Sequence, residues 1–380
     1  MEAPVAGGPL FQDLRRRGAP YGVAPPSQRR GASYNRARSH RLRTGHHKAT
    51  VQPDTPAPTP RTDAALLLQP EMQRLDNVIR ARLSSNAALI SQIGNYIIGA
   101  GGKRIRPMLV LLCSGALGVT GPERIELAAV VEFIHTATLL HDDVVDESSL
   151  RRGRKTANAM FGNAASVLVG DFVYSRAFQM MVSVNRMRVL DVLADATNVI
   201  AEGEVLQLMN MHDPDLAVDD YLRVIRFKTA KLFEASARLG AVLADAPADV
   251  EEACAGYGRA LGTAFQLVDD LLDYEGATTE LGKNVGDDLR EGKPTLPLLL
   301  AMANGSDEDR AVIRHAIEHG EIERLPEIVE IVRRTGAIDA TRAVARAESE
   351  TARTCLAALP ESAHKEALLE FCLRSVDRSS

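Results

Sequence analysis

From Ala64 onward, apolar residues recur at intervals of three and four with scarcely a break. The pattern predicts helices over Met72–Leu83, Ala87–Ile98, Pro107–Leu117, Ile125–Leu140, Val167–Met181 and Val189–Met209. Others follow over Tyr221–Leu243, Val250–Leu272 and Leu296–Ala303, with further segments ending near Val376. The period-two alternation of strands is missing. Glycine and proline punctuate the pattern at 99–102, at Gly153 and at His212-Asp213-Pro214. An all-α fold is expected, and in a single helical bundle a ligand site is built from side chains on facing helices.

The first 62 residues read differently. Residues 1–60 hold half of the 18 prolines, with 10 Lys or Arg against 3 acidic residues. Almost without apolar periodicity, this segment cannot offset its own ordering entropy, so residues 1–62 are expected to be a disordered, basic, Pro-rich extension. An Arg-rich, acid-poor segment also resembles a transit peptide, but no amphipathic face accompanies it here. Residues 63–380 are then expected to form one domain.

Composition narrows the class. At 45% hydrophobic and 25% charged residues, the 380-residue chain has ample core for a soluble globular protein. Its longest apolar stretches, such as Met108–Val119 and Leu296–Met302, are too short to span a bilayer. Cys113, Cys254, Cys355 and Cys372 are scattered without a Cys-x-x-Cys pair, which argues against zinc or a disulfide framework and fits a reducing cytoplasm. With no Trp and few aromatics, the interior is expected to be aliphatic.

Two acidic clusters carry the chemistry. Asp142, Asp143 and Asp146 stand in Leu-Leu-His-Asp-Asp-Val-Val-Asp, and Asp269, Asp270 and Asp273 in Gln-Leu-Val-Asp-Asp-Leu-Leu-Asp, with identical spacing. On a helix the three carboxylates of each cluster fall within an arc of about 100°. Both clusters follow apolar stretches, Val130–Leu140 and Ala260–Val268, which sets the acids at the mouths of buried helices. One such run is commonly a solvated helix end; two of the same spacing point to two metal-binding edges. Desolvated carboxylates need compensating cations, and Mg²⁺ takes one or two carboxylates from each side plus the phosphates of a substrate. A diphosphate held between the two edges is the implied ligand.

Cations surround these acids. Lys103, Arg104 and Arg106 precede the helix that Pro107 starts, among glycines that permit close backbone approach. Arg151, Arg152 and Arg154 follow the first cluster, while Lys283 and Lys293 follow the second on glycine-flexed loops suited to closing over an anion. Lys228, Thr229 and Gln266 fall within helical segments, where a buried Lys without a partner is costly and favours an anion. His135, seven residues before Asp142 and on nearly the same face, is open to either a structural or a phosphate-binding role.

Taken together, Gly-Gly-Lys-Arg-Ile-Arg-Pro, Asp-Asp-x-x-Asp with Arg-Arg-Gly, Lys-Thr, Phe-Gln-Leu-Val-Asp-Asp-x-x-Asp and Gly-Lys-Asn-Val-Gly-Asp-Asp-Leu resemble the trans-polyprenyl diphosphate synthase family over about residues 65–378. Phe133–Glu147, Ala201–Met209 and Phe265–Pro297 look most like its bacterial long-chain members, which supply the ubiquinone side chain. The resemblance implies an isoprenoid synthase fold with a deep central cavity, a homodimer, and two or three Mg²⁺ per active site. It implies successive head-to-tail condensation of isopentenyl diphosphate onto an allylic diphosphate such as farnesyl diphosphate, with a lipid product and no nucleic-acid partner.

By that likeness Lys103, Arg106, His135 and Arg152 would bind isopentenyl diphosphate. Arg151, Lys228, Thr229, Gln266, Lys283 and Lys293 would hold the allylic diphosphate. Asp142, Asp146 and Asp269 would be the principal metal ligands, with Asp143, Asp270 and Asp273 close by or bound through water. A terpene cyclase would not need the second cationic group at residues 101–107, and a non-catalytic partner subunit would be expected to lack one acidic cluster. Ala137 and Thr138, five and four residues before Asp142, lie about 7.5 and 6 Å below the metal mouth along the helix. Both are small where short-chain relatives carry bulky aromatics, so both are expected to line a tunnel whose floor involves the helix of Phe172 and Met180.

Overall fold

A computed structural model describes residues 63–99, 101–151, 153–275 and 286–376. The expected extension at 1–62 lies outside these residues, as do Arg152 and Lys283.

The longer helices are α1 (Gln69–Arg82), α2 (Ala88–Ile98), α3 (Ile105–Ala116), α4 (Glu123–Val145), α5 (Asn163–Ser183), α6 (Met187–Asn210) and α7 (Val218–Ile225). After a π-helical turn at Arg226–Ala230 come α8 (Lys231–Leu243), α9 (Ala248–Glu275), α10 (Leu296–Asn304), α11 (Asp307–His319), α12 (Leu325–Arg334), α13 (Ala337–Cys355) and α14 (Ala363–Val376). The all-α expectation is met, and most boundaries agree to within a few residues.

Two local details depart from the sequence reading. Residues 221–243 are not one regular helix, because the π turn interrupts them at Lys228 and Thr229. Where no strand was expected, a two-residue hairpin pairs Leu150–Arg151 with Arg154–Lys155 in antiparallel register, its turn made by Gly153 at φ 70°. The strands are too short for any hydrophobic alternation to register in the sequence.

The hydrophobic pattern explains the layout. In α4, thirteen of 23 residues are buried, and the buried set from Ile125 to Leu140 runs around the whole helix. A helix apolar on all sides belongs in the interior. Its last turn is acidic, with Asp142 in it and Asp146 as the C-cap. The 28-residue α9 behaves likewise, packing extensively on α8 and α13 before reaching Asp269 and Asp273 near its end. Both acidic clusters therefore sit at helix C-termini. Each helix dipole already places partial negative charge there, so adding carboxylates costs energy until a cation arrives.

Candidate active site

One cavity of about 1450 Å³ opens between these helix ends. Asp142 and Asp146 reach it from α4, and Asp269 and Asp270 from α9. Lys103 and Arg106 enter from the start of α3, His135 and Thr138 from α4, Arg151 from the hairpin, Lys228 and Thr229 from the π turn, Gln266 from α9, and Lys293 from the segment before α10. Motifs far apart in the sequence thus meet around one cavity.

Three anticipated residues are placed elsewhere. Asp143 lies a 100° step away from the Asp142–Asp146 face and is 1% exposed, and Oδ1 accepts from both Nε and Nη2 of Arg151 at 2.8 Å. It holds Arg151 toward the cavity. Asp273 accepts from the backbone N–H groups of Gly286 at 2.9 Å and Asp288 at 3.3 Å, capping the short helix Asp287–Arg290. Ala137 is fully buried in the core and does not line the cavity, whereas Thr138 does. A step of five residues turns about 140° around the helix, enough to carry Ala137 off the face that Asp142 shares with Thr138.

Electrostatics separate the groups by role. Burial raises the pKa of Asp142, with Lys228 pulling it back down. Lys228 Nζ stands 2.6 Å from Glu204 and 4.0 Å from Asp142. Burial pushes Glu204 up to about 7, again against the pull of Lys228. Burial alone would lower the pKa of Lys293, but Asp288, Asp146 and Glu291 together reverse that and keep the ammonium charged; its Nζ lies 3.5 Å from Asp146. Asp270 is buried and rises to about 8, chiefly through desolvation and then through Asp288. It accepts hydrogen bonds from Tyr221 Oη at 2.5 Å and Gln266 Nε2 at 2.7 Å. Gln266 Oε1 in turn accepts from Thr229 Oγ1 at 3.0 Å, so a chain of hydrogen bonds fixes Thr229 and Gln266 at the wall.

The cationic edge beside α3 is ordered in the same way. Arg104 adopts the left-handed conformation, φ 50°, and turns to Glu132 at 2.6 Å. Its neighbours Lys103 and Arg106 are directed to the cavity. Arg106 Nη1 donates to His135 Nε2 at 3.2 Å, and its guanidinium lies 4.5 Å from the centroid of Phe233. A guanidinium only donates, so His135 Nε2 is the acceptor in this contact.

The π turn gives Lys228 and Thr229 their direction, and two glycines make room for it. A Cβ on Gly203 of α6 would lie 2.6 Å from Lys228 N, and one on Gly262 of α9 would lie 2.7 Å from Ala230 Cα. π bulges frequently mark functional sites. Sequence reasoning also missed Glu204, Gln207, Asn210, Tyr221, Asp288, Arg342 and Arg346, all on the cavity wall. Glu204, Gln207 and Asn210 recur at intervals of three on the otherwise amphipathic α6, which was a readable signal.

The wall carries as many Lys and Arg as Asp and Glu. Diphosphates entering it would tip the balance strongly negative, and two acidic helix C-termini would make that worse. Oxygen donors converging from two helices, short of positive charge once substrate is present, fit a hard divalent cation. Among the described residues no three acidic, His or Cys side chains converge into a metal group by themselves. Substrate phosphate would complete such a coordination sphere.

A helical bundle that sets two acidic helix ends and two cationic edges around one cavity fits a prenyltransferase working on diphosphates. The polyprenyl synthetase family model matches residues 87–332, and the chain belongs to that family. It is 53% identical over 309 residues to octaprenyl diphosphate synthase of Escherichia coli (strain K12), spanning 81% of this chain and 96% of that protein. Identity is 45% to an all-trans-nonaprenyl-diphosphate synthase (geranyl-diphosphate specific) of Rhodobacter capsulatus, over 80% of this chain and 94% of the relative. The fold matches polyprenyl synthase from Caulobacter crescentus CB15, solved with calcium and isoprenyl diphosphate, at a TM-score of 0.81 and 45% identity, over 83% of this chain and 97% of that one. The isoprenoid synthase fold read from the motifs is thereby established.

Proposed function

We propose that this protein is an octaprenyl diphosphate synthase, extending an allylic diphosphate such as farnesyl diphosphate with isopentenyl diphosphate to supply the side chain of ubiquinone. The observation that carries the reading is that both acidic helix ends and both cationic edges line the same cavity. The identity to octaprenyl diphosphate synthase supports the chain length.

Lys228, Thr229, Gln266, Arg151 and Lys293 bind and orient the allylic diphosphate, with Lys283 and Arg152 expected to join the two cationic edges. Asp142, Asp146 and Asp269 would hold Mg²⁺, with Asp270 nearest among the others. Bound there, Mg²⁺ would supply positive charge to offset that developing on the departing diphosphate. Lys103, Arg106 and His135 hold isopentenyl diphosphate so that its double bond faces the allylic carbon. When the allylic C–O bond breaks and diphosphate departs, that double bond attacks the allylic cation, and the departing diphosphate takes a proton from the resulting condensed cation to restore the alkene. Leu139, Ile200, Leu232, Phe233 and Phe265 form an apolar wall that keeps water from the cation. Thr138, on the same wall, is the candidate for contact with the growing chain.

A homodimer is supported by exposed apolar side chains. Val205, Leu208 and Met209, within one and a half turns of α6, are 57%, 46% and 38% exposed. Exposed apolar side chains so grouped suit an interaction surface. Among the described residues no helix is long and apolar enough to cross a membrane. The four free thiols support a reducing, cytoplasmic setting.

The deciding experiment incubates purified protein with farnesyl diphosphate, radiolabelled isopentenyl diphosphate and Mg²⁺, then sizes the dephosphorylated products by mass spectrometry. Octaprenol is expected, with loss of incorporation on chelation. A nonaprenol or shorter main product would overturn the chain length, and a cyclic hydrocarbon or no incorporation would overturn the activity.

A further inference from the structure

Lys293 stands between Gly292, at φ 71°, and Pro294, outside any helix. From its own segment, Gly292 N donates to Leu289 O and Lys293 N to Asp288 O, each at 2.9 Å. A second hold comes from the turn after α6. The backbone N–H of His212 donates to Gly292 O at 2.8 Å, and its ring Nδ1 lies 2.9 Å from Ile317 O near the end of α11. A carbonyl only accepts, so Nδ1 carries the proton and one residue ties the Lys293 segment to α11.

The packing leaves little play in this arrangement. A Cβ on Gly292 would lie 2.2 Å from His212 Nδ1, and one on Gly320, the C-cap of α11, 3.5 Å from His212 Cε1. His212 itself holds φ 61°, a conformation that a non-glycine residue keeps only where its surroundings over-determine it. The sequence showed merely a helix break at His212-Asp213-Pro214. The fold makes that break a clamp.

We propose that His212 is a positioning residue for the allylic diphosphate, holding the segment at Gly292 so that the Lys293 ammonium reaches the Asp146 side of the cavity. The proposal rests on the assignment of Lys293 to that diphosphate. Simple capping of α11 would stabilise the fold without favouring either substrate; a clamp on Lys293 acts on one of them.

Two variants keep the positive φ. His212→Gly removes the ring, and His212→Asn tolerates the same backbone and restores an N–H donor. Loss of one hydrogen bond corresponds to a rise of roughly three- to tenfold in KM for farnesyl diphosphate. KM for isopentenyl diphosphate should stay within twofold, and His212→Asn should recover most of the loss. In a Lys293→Ala background, His212→Gly should raise KM no further. Unchanged allylic KM, an equal rise for both substrates, or full additivity with Lys293→Ala overturns the clamp. Should Lys293→Ala alone leave the allylic KM unchanged, the assignment of Lys293 fails. Amide hydrogen exchange over residues 286–295 then decides the clamp: exchange about tenfold faster in His212→Gly supports it, and unchanged exchange overturns it.

Discussion

Gly203→Ala adds one methyl group where α6 crosses the π turn. The new Cβ would lie 2.6 Å from Lys228 N and 2.9 Å from both Phe227 C and Phe227 Cβ. Ordinary contact begins at 3.4 Å, so the two backbones must part by about 0.8 Å. The obstacle is backbone, which no rotamer change can move aside. Overpacking of this kind costs about 1–3 kcal/mol, and 2 kcal/mol would lower Tm by roughly 3 °C in a domain of this size. The function should suffer more selectively than the stability. Lys228 and Thr229 ride on the turn being displaced, and misplacement of a substrate-positioning group by about 1 Å can cost on the order of 100-fold. The expected result is a fall of roughly 10- to 100-fold in kcat/KM for farnesyl diphosphate, with a much smaller change in KM for isopentenyl diphosphate, whose candidate ligands lie on α3 and α4. Calorimetry and steady-state kinetics with each substrate varied in turn would measure both effects. A variant with wild-type Tm and wild-type allylic kinetics would refute the claim that Gly203 sets the position of the turn.

Asp142→Asn should cut turnover by orders of magnitude while Tm changes little, because it removes a cavity carboxylate; Asp143→Asn should instead lower Tm markedly, by weakening a buried ion pair with Arg151, and similar profiles for the two variants would contradict the division between them. Arg106→Lys should raise KM for isopentenyl diphosphate more than for the allylic substrate, since a planar fork is lost; an equal effect on both would contradict the assignment. Thr138→Phe should shorten the product by narrowing the cavity about one helical turn below Asp142, whereas an active, folded variant with an unchanged product would remove Thr138 from the chain's path. Because burial raises Asp270 to about 8, its neutral form contributes stability that is complete below the ordinary carboxylate pKa of about 4 and is lost as pH rises to about 8. The Tm of Asp270→Asn relative to wild type, without metal, should therefore climb between pH 4 and 8 and then level; a flat difference would count against it.

The sequence by itself determined the helices, because the three-and-four spacing of apolar residues encodes which face each helix buries, and that information is local. It also determined the chemical kind of the site. Two acidic runs of one spacing, placed at the ends of apolar helices, are costly to desolvate without compensating positive charge, and the glycine-flanked lysines and arginines offered that opposing charge. The tertiary structure decided which members of each run serve the cavity. Asp142 and Asp143 are adjacent and chemically identical; only the arrival of Arg151 on a hairpin with no strand signature turns one of them to structural work. Asp273 is claimed by backbone N–H groups that return from 13 and 15 residues later. The π turn at Lys228 was equally illegible, since its hydrogen-bond register is set by the backbones of α6 and α9 pressing against it at Gly203 and Gly262. Tyr257 and Cys372, far apart in the chain, likewise share one acceptor in the fold: Cys372 Sγ and Tyr257 Oη both donate to Leu368 O. Periodicity reports what a segment needs to bury, whereas the partner of a given polar atom depends on which distant segment the packing brings beside it.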